Sequence, residues 1–437
     1  MCWWATSAPR TVLGMSTTAL RIDPARLLMD LRRLREFGAV GSGVVRPALS
    51  SVDVLSRHWL AQRMTEAGLI ASIDGIGNVI GRTPGVSKAL LVGSHTDTQR
   101  EGGWLDGSLG VIYGLEIARA GLESHLFTEI GLDVASWVDE EARFARLLGS
   151  RAFCGELRES DLAVLHDREG LSLSDARRDA GLAMRPLATL EPERHRAYLE
   201  AHIEQGAVLE AHAKRIGIVT GIVGIRTFRV TFTGEQNHAG TTPMHLRRDA
   251  GKALVQFAAE LDLLFKSVAG EASVWTIGEI QLHPGAESII PGRAELLLQI
   301  RDVDDGILQC MQHALVQCVA ARSDPATVLV HLAGSSPPTA PARMDETLQA
   351  SLRKSAQGLA PSTWMSLPSG AGHDAQIFSS RLPTGMLFIP SIGGISHSFR
   401  ENTSDEDITL GCQVFADAVS SLLRSSAGVP DTTLIQN

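Results

Sequence analysis

An α/β fold whose mostly parallel sheet is flanked by helices, interrupted by an inserted α+β domain, is what the chain predicts, and three observations predict it. The all-apolar run Ala89–Gly93 and the stretch Gly131–Val138 read as buried strands, too short for helices and without a continuous polar face. Between them Gly107–Ala120 reads as a helix, so strand and helix alternate as they do around a parallel sheet. After about Ala213 the character changes. TFRVTFTG alternates at period two, Arg248–Leu264 is helical and AELLLQIRDV alternates again, which marks a separate α+β unit.

The remaining elements follow in order. From Ile22 to Gly68 apolar residues recur at helical spacing (Leu27, Leu31, Leu34, then Leu55, Trp59, Leu60, Met64), giving two amphipathic helices around a glycine-rich break at Ala39–Val45. Asn78–Arg82 is a short strand. The Ser-, Pro- and Thr-rich stretch Ala320–Ala342 reads as the return linker from the insert. Beyond Met344 come a helix, the strand Thr384–Ile389 and a final helix. Residues 1–214 and 336–437 are thus expected to form one discontinuous domain, with 215–335 as the insert.

Composition narrows the partners. The chain has 437 residues, 44% of them apolar and 20% charged, which is ordinary for a globular protein. Forty basic against forty-nine acidic residues leave a net charge of −9. With no long basic run, nucleic acid is excluded as an expected partner and a small metabolite fits better. No apolar stretch is long enough for a signal peptide or a membrane span, so no membrane role is expected; Met15 is an alternative start. The five cysteines, Cys2, Cys154, Cys310, Cys318 and Cys412, show no CxxC spacing, which argues for a reducing cytoplasm and against a disulfide framework.

The chemistry gathers in four segments. In LVGSHTDTQREGGWLDGSLG a buried strand ends in His95, with Asp97 two residues on and Asp106 in a glycine-flanked loop. Beyond the carboxyl ends of parallel strands functional residues collect, and imidazole with carboxylate is a ligand set for zinc and its neighbours. In VASWVDEEARF another strand runs into Asp139, Glu140 and Glu141. Three adjacent carboxylates repel unless a cation or full solvation relieves them, so a solvated helix N-terminus is the alternative. AYLEAHIEQG and SIGGISHSFRE contribute His202 and His397. Together these segments hold the inventory for two metals sharing a bridging carboxylate.

With these residues in view, the chain resembles the M20-type metallohydrolases, and within them the branch of N-carbamoyl-L-amino-acid hydrolases, β-ureidopropionases and allantoate amidohydrolases. GSHTDT, GGxxDGxLGV, DEEARF, HIEQG, NHAGTTPM, IPGRAE, SGAGHDA and GISHS occur in that branch's order, from about Gly77 to Thr403. The resemblance implies a metal-dependent hydrolase acting on C–N bonds other than peptide bonds, releasing ammonia and carbon dioxide from a ureido carboxylate. It implies two divalent ions per subunit (Zn, Mn, Co or Ni), one held by His95, Asp106 and His202, the other by Asp106, Glu141 and His397. Glu140 is then the general base and Asp97 orients His95. His202 favours the carbamoylase branch, since the peptidases usually carry a carboxylate there.

The same resemblance makes the insert a lid or dimerisation domain and the protein a homodimer. His238 would cross to an active site and hydrogen-bond the developing oxyanion; its alternative is a turn histidine. Arg301 would bind the substrate carboxylate unless it pairs with Asp302 or Asp304. Gln205 would meet the ureido group and Gly372 would offer a backbone contact. Ser288 stands where the branch generally has a substrate-touching Asn. Two rival functions remain: an aminoacylase or dipeptidase with the same metals, and an inactive metal-stabilised dimer that only binds.

Overall fold

The computed structural model describes residues 20–425; Cys2, the alternative start at Met15 and the rest of the first segment lie outside them. Four strands form the parallel centre of a nine-stranded sheet: Ile130–Trp137, Lys88–His95, His195–Ile203 and Thr384–Ile389, adjacent in that order. Val79–Arg82 and Ile70–Ile73 add antiparallel beyond Ile130–Trp137, and Ile216–Ile222 adds antiparallel beyond Thr384–Ile389; Ile216–Ile222 in turn pairs antiparallel with Ala342–Arg343 and parallel with Trp364–Ser369. The apolar run at the centre explains the position of Lys88–His95, whose Ala89, Leu90, Leu91 and Val92 are fully buried. A strand solvated on neither face gains from apolar residues at every position.

Helix Ser108–Glu123 crosses between the two central strands and is buried on almost every side. Its small residues let it sit close: a Cβ on Gly110 would fall 2.2 Å from the Ala201 carbonyl oxygen. At its start Gly107 has φ +64, and a Cβ there would press on the His95 ring at 2.4 Å. Glycine is therefore required where the loop carrying Asp106 turns beside His95. The two expected amino-terminal helices are Pro24–Glu36 and Ser51–Glu66, capped by Asp23 and Ser50.

A second sheet with its own core lies in the insert, its strands ordered Val274–His283, Arg293–Asp302, Gly224–Thr233, Leu329–Gly334, all antiparallel. Helices Ala250–Val268 and Asp305–Arg322 bury Phe257, Phe265, Leu308 and Met311 against it. Two expectations change here. Ile216–Ile222 pairs within the central sheet, so the insert's sheet starts at Gly224 rather than at 215. Within the supposed linker, Leu329–Gly334 is an edge strand. No helix among the described residues is long and apolar enough to cross a membrane, and Cys154, Cys310, Cys318 and Cys412 are free thiols.

Behind the central strands a charge pair is sealed in the core. Arg57 Nε donates to Asp53 Oδ2 at 2.7 Å and Arg57 Nη1 to the Gly77 carbonyl at 3.0 Å, with both side chains almost wholly buried. Arg57 Nη2 lies 3.8 Å from Asp97 Oδ1, so one guanidinium faces two carboxylates. Removing one partner strands the other charges without solvent. Arg57→Ala is expected to cost about 3–5 kcal/mol, read as a lowered urea midpoint; an unmoved midpoint would show the pair to be dispensable.

Candidate active site

The donor segments come from the carboxyl ends of all four central parallel strands. His95 is the last residue of its strand, Glu140 and Glu141 follow Trp137, His202 is next to last in His195–Ile203, and His397 lies in the loop after Ile389. Asp106 reaches in from the loop between His95 and helix Ser108–Glu123. Its two oxygens face different partners: Oδ1 is 3.1 Å from His202 Nε2 and 3.7 Å from His95 Nε2, whereas Oδ2 is 3.1 Å from His397 Nε2. Glu141 Oε1 is 3.5 Å from His397 Nε2. Donor atoms of His95, Asp106 and His202, and separately of Asp106, Glu141 and His397, lie within 4.8 Å of one another.

Hydrogen bonds set the imidazoles for this task. His95 Nδ1 is 3.0 Å from the Asp97 carbonyl oxygen and His202 Nδ1 is 2.9 Å from that of Ile203. A carbonyl only accepts, so each Nδ1 carries the proton and each Nε2 turns its lone pair to the cluster. Gly107 N–H donates to His202 Nε2 at 3.1 Å, in agreement with that tautomer. It is thus the backbone of Asp97 that orients His95. The Asp97 carboxylate accepts from Glu141 N–H at 3.2 Å, and its Oδ1 has no hydrogen-bond partner.

Electrostatically the cluster calls for cations. Burial, and after it the charges of Glu141, Asp374, Asp106 and Asp97, hold Glu140 well above the usual carboxylate range. Burial and then Asp106 push Glu141 up to about 8. Burial opposes a charged imidazole at His202, but the hydrogen bond and charge of Asp106 prevail and raise it to about 9. His397 rises to about 9, first through its hydrogen bond to Asp106. Each rise marks surplus negative charge in the cluster, which divalent ions would neutralise. Two acceptor sets sharing one carboxylate, with both tautomers preset, fit a pair of such ions.

The turn after Trp137 is not a solvated helix start. Asp139, with φ +57, takes backbone N–H groups of Arg143, Phe144 and Ala145, at 2.6, 2.9 and 2.9 Å, and so folds the loop while Glu140 and Glu141 face the cluster. Ala142, Gln205 and His397 also have positive φ, strain that concentrates where the site needs particular directions.

A cleft of ≈ 230 Å³ gives access to the cluster, lined in part by Glu140, Gln205, Arg301, Gly372 and His397. A neighbouring one of ≈ 550 Å³ shares Gln205, Arg301 and His397 with it. Gln205 Nε2 is 3.2 Å from Asp106 Oδ2. Among the described residues Arg301 has no acidic partner: it donates to Gln299 Oε1 and to the Gly370 carbonyl, while Asp302 and Asp304 serve Ser273 and a helix cap. His238 and Ser288 are not in the cleft. They sit together at a separate two-stranded antiparallel sheet, where Asn237–His238 pairs with Ile289–Ile290 and Ala239 N–H donates to the Ser288 carbonyl.

This arrangement coincides with a family match. The model for peptidase family M20/M25/M40 matches residues 91–421, well over half the chain. The chain belongs to this M20 family. Among its relatives, an N-carbamoyl-L-amino acid amidohydrolase of Geobacillus stearothermophilus is 36% identical over 408 residues, covering 90% of this chain and 98% of the relative. The allantoate amidohydrolase of Escherichia coli K12 is 33% identical over 393 residues, covering 88% and 94%. Among solved structures, an amidase of the hydantoinase/carbamoylase family from Burkholderia phymatum is 51% identical with a TM-score of 0.89, covering 93% of this chain and 99% of that one. This M20 chain is therefore similar over nearly its whole length to amidohydrolases of non-peptide C–N bonds.

Sequence reasoning missed several residues that build the M20 site. Glu401 Oε1 accepts the Leu105 and Asp106 N–H groups at 3.1 and 3.0 Å, and its Oε2 accepts from Ser396 at 2.8 Å. One buried carboxylate thus ties the Asp106 loop to the His397 loop, and its place four residues after His397 was the only signal. Gln99 Nε2 donates to Glu141 Oε2 at 2.7 Å. Arg247 braces the NHAGTTP turn by donating to the Thr242 and Ala239 carbonyls, while Asp249 caps helix Ala250–Val268.

Proposed function

We propose that the chain is a binuclear amidohydrolase that cleaves the ureido C–N bond of a small carboxylate, releasing ammonia and carbon dioxide. The observation that carries this reading is Asp106, a buried carboxylate that turns one oxygen to His95 and His202 and the other towards His397 and Glu141. His95, Asp106 and His202 would hold one divalent ion, and Asp106, Glu141 and His397 a second, with Zn, Mn, Co and Ni all compatible with the donors. When bound, such ions polarise a carbonyl oxygen and make water nucleophilic near neutral pH.

Glu140 is the residue to move the proton. It lies 3.8 Å from His95 Nε2, has an elevated proton affinity and lines the cleft, so it can take a proton from water and return it to the leaving nitrogen. Gln205 faces the ureido group, the Gly372 backbone contacts the substrate, and Arg301 offers its unengaged N–H groups to the carboxylate. His238 Nδ1 accepts from the Gly240 and Thr241 N–H groups at 3.0 and 3.2 Å, which leaves Nε2–H free to donate to an oxyanion. We assign His238 and Ser288 to the cleft of a second copy in a homodimer, with the insert acting as lid and dimerisation domain. The free thiols of Cys154, Cys310, Cys318 and Cys412 support a cytoplasmic setting.

Ammonium release separates this reading from its rivals. The Mn- or Zn-loaded protein is expected to release ammonium from N-carbamoyl amino acids or allantoate. Acetate from N-acetyl amino acids without ammonium would place it with the aminoacylases, and binding without turnover would leave a binding protein.

A further inference from the structure

A second guanidinium enters the cleft beside Arg301. Arg146 lies in the loop between Glu141 and helix Leu148–Phe153, and its side chain is only partly exposed. A Cβ at Gly372 would fall 1.9 Å from Arg146 Nη2, so the guanidinium rests directly against the Gly372 backbone. On the other side of the same short loop, Arg301 Nη1 donates to the Gly370 carbonyl at 2.7 Å. Both arginines line the cleft that contains Asp106, Glu140 and His397.

Neither has a carboxylate partner among the described residues, and the Arg146 side chain makes no hydrogen bond or ion pair there. Beside Gly372 the neutral amide oxygen Gln376 Oε1 is without a hydrogen-bond partner among the described residues. Burial, and after it the charge of Arg146, lower the proton affinity of Arg301, the mark of two like charges sharing poorly solvated space. Arg301 has two of its N–H groups committed to Gln299 and Gly370, whereas Arg146 keeps its whole fork for a bidentate acceptor. A substrate with one carboxylate would neutralise only one of them.

We propose that Arg146 is a specificity-determining residue that binds a second carboxylate, so that the preferred substrate is a ureido dicarboxylate. This rests on the ureido-hydrolase reading above. One carboxylate goes to Arg301, the other, on a side chain of one or two methylenes, to Arg146, and the ureido carbon is left toward Asp106 and Glu140.

The test compares N-carbamoyl-aspartate with its neutral isostere N-carbamoyl-asparagine, using Mn-loaded wild type, Arg146→Gln and Arg146→Lys. Wild type is expected to favour the aspartate compound in kcat/KM. Arg146→Gln should lower that aspartate-to-asparagine ratio about 10- to 100-fold, the scale of a charge-assisted contact, and Arg146→Lys should restore part of it. Equal handling of both compounds by wild type, or equal loss of both in Arg146→Gln, would overturn the proposal. A binding arm separates this from failure of the parent reading. By calorimetry on the Mn-loaded Glu140→Gln protein, succinate should bind more tightly than butyrate, and adding Arg146→Gln should remove the difference. That result sustains the dicarboxylate site even where no ureido compound yields ammonium, and its absence refutes the site even where one does.

Discussion

Glu140→Gln is expected to lower kcat for ureido hydrolysis by about 10²- to 10⁴-fold, the usual contribution of a positioned general acid–base group. The amide keeps the shape of the side chain, so neither the Val138–Glu141 turn nor the Asp139 hydrogen bonds that fold it should change. Glu140 is in neither set of clustered donors, so the metal content of the variant should match wild type. Its burial among Glu141, Asp374, Asp106 and Asp97 favours the protonated form, and bound cations would offset that repulsion and return it to a useful base. The checks are ammonium release and metal analysis on the same preparation. Retained activity would remove Glu140 from the chemistry, and lost metal would make it a ligand instead.

A deeper failure is expected from Asp106→Asn, because that side chain belongs to both donor sets. An amide offers one acceptor where the carboxylate offers two, so one set loses its shared oxygen and both lose a negative charge. The several kcal/mol of transition-state stabilisation supplied by bound ions corresponds to on the order of 10³-fold or more in rate. Unlike the Glu140 variant, this one should also lose metal. Metal content falling together with activity is the expected result; full metal occupancy would show that Asp106 does not bridge. His202 and His397, whose raised proton affinity depends on Asp106, should titrate lower in the metal-free variant, which NMR of the imidazoles can follow.

Much of this site was legible in the sequence because a parallel sheet writes its chemistry in a readable form. Lys88–His95 and Ile130–Trp137 are largely apolar strands, the first ending in histidine and the second followed two residues on by Asp139, and those ends are where the sheet opens. His195–Ile203 was visible only as a motif. Its neighbourhood HRAYLEAHI is full of polar residues, and they are buried because partners distant in sequence satisfy them: Ser94 donates to Glu200, and Arg194 just before the strand pairs with Asp133. Periodicity cannot see such partners. Leu329–Gly334 resembles a linker in sequence because an edge strand, half exposed and paired on one side, needs little apolar content.

The same limit applies to single side chains. Arg146 sits in RFARLLGS with nothing to distinguish it from a surface arginine, and only the approach of the Gly370–Gly372 loop shows that it faces the cleft. Glu401 is likewise silent until the Asp106 and His397 loops are seen to meet on it. His238 and Ser288 show the reverse case, residues prominent in sequence that the fold of one chain holds together yet away from the cleft.

Two divalent ions, one for each donor set to which Asp106 belongs, would serve one hydrolytic centre. Titrating metal-stripped protein with Mn²⁺ while following ammonium release from a ureido substrate tests it most directly. Activity is expected to rise until two equivalents are bound per chain and then to stay level. Full activity in the stripped protein, or a plateau at one equivalent, would contradict it.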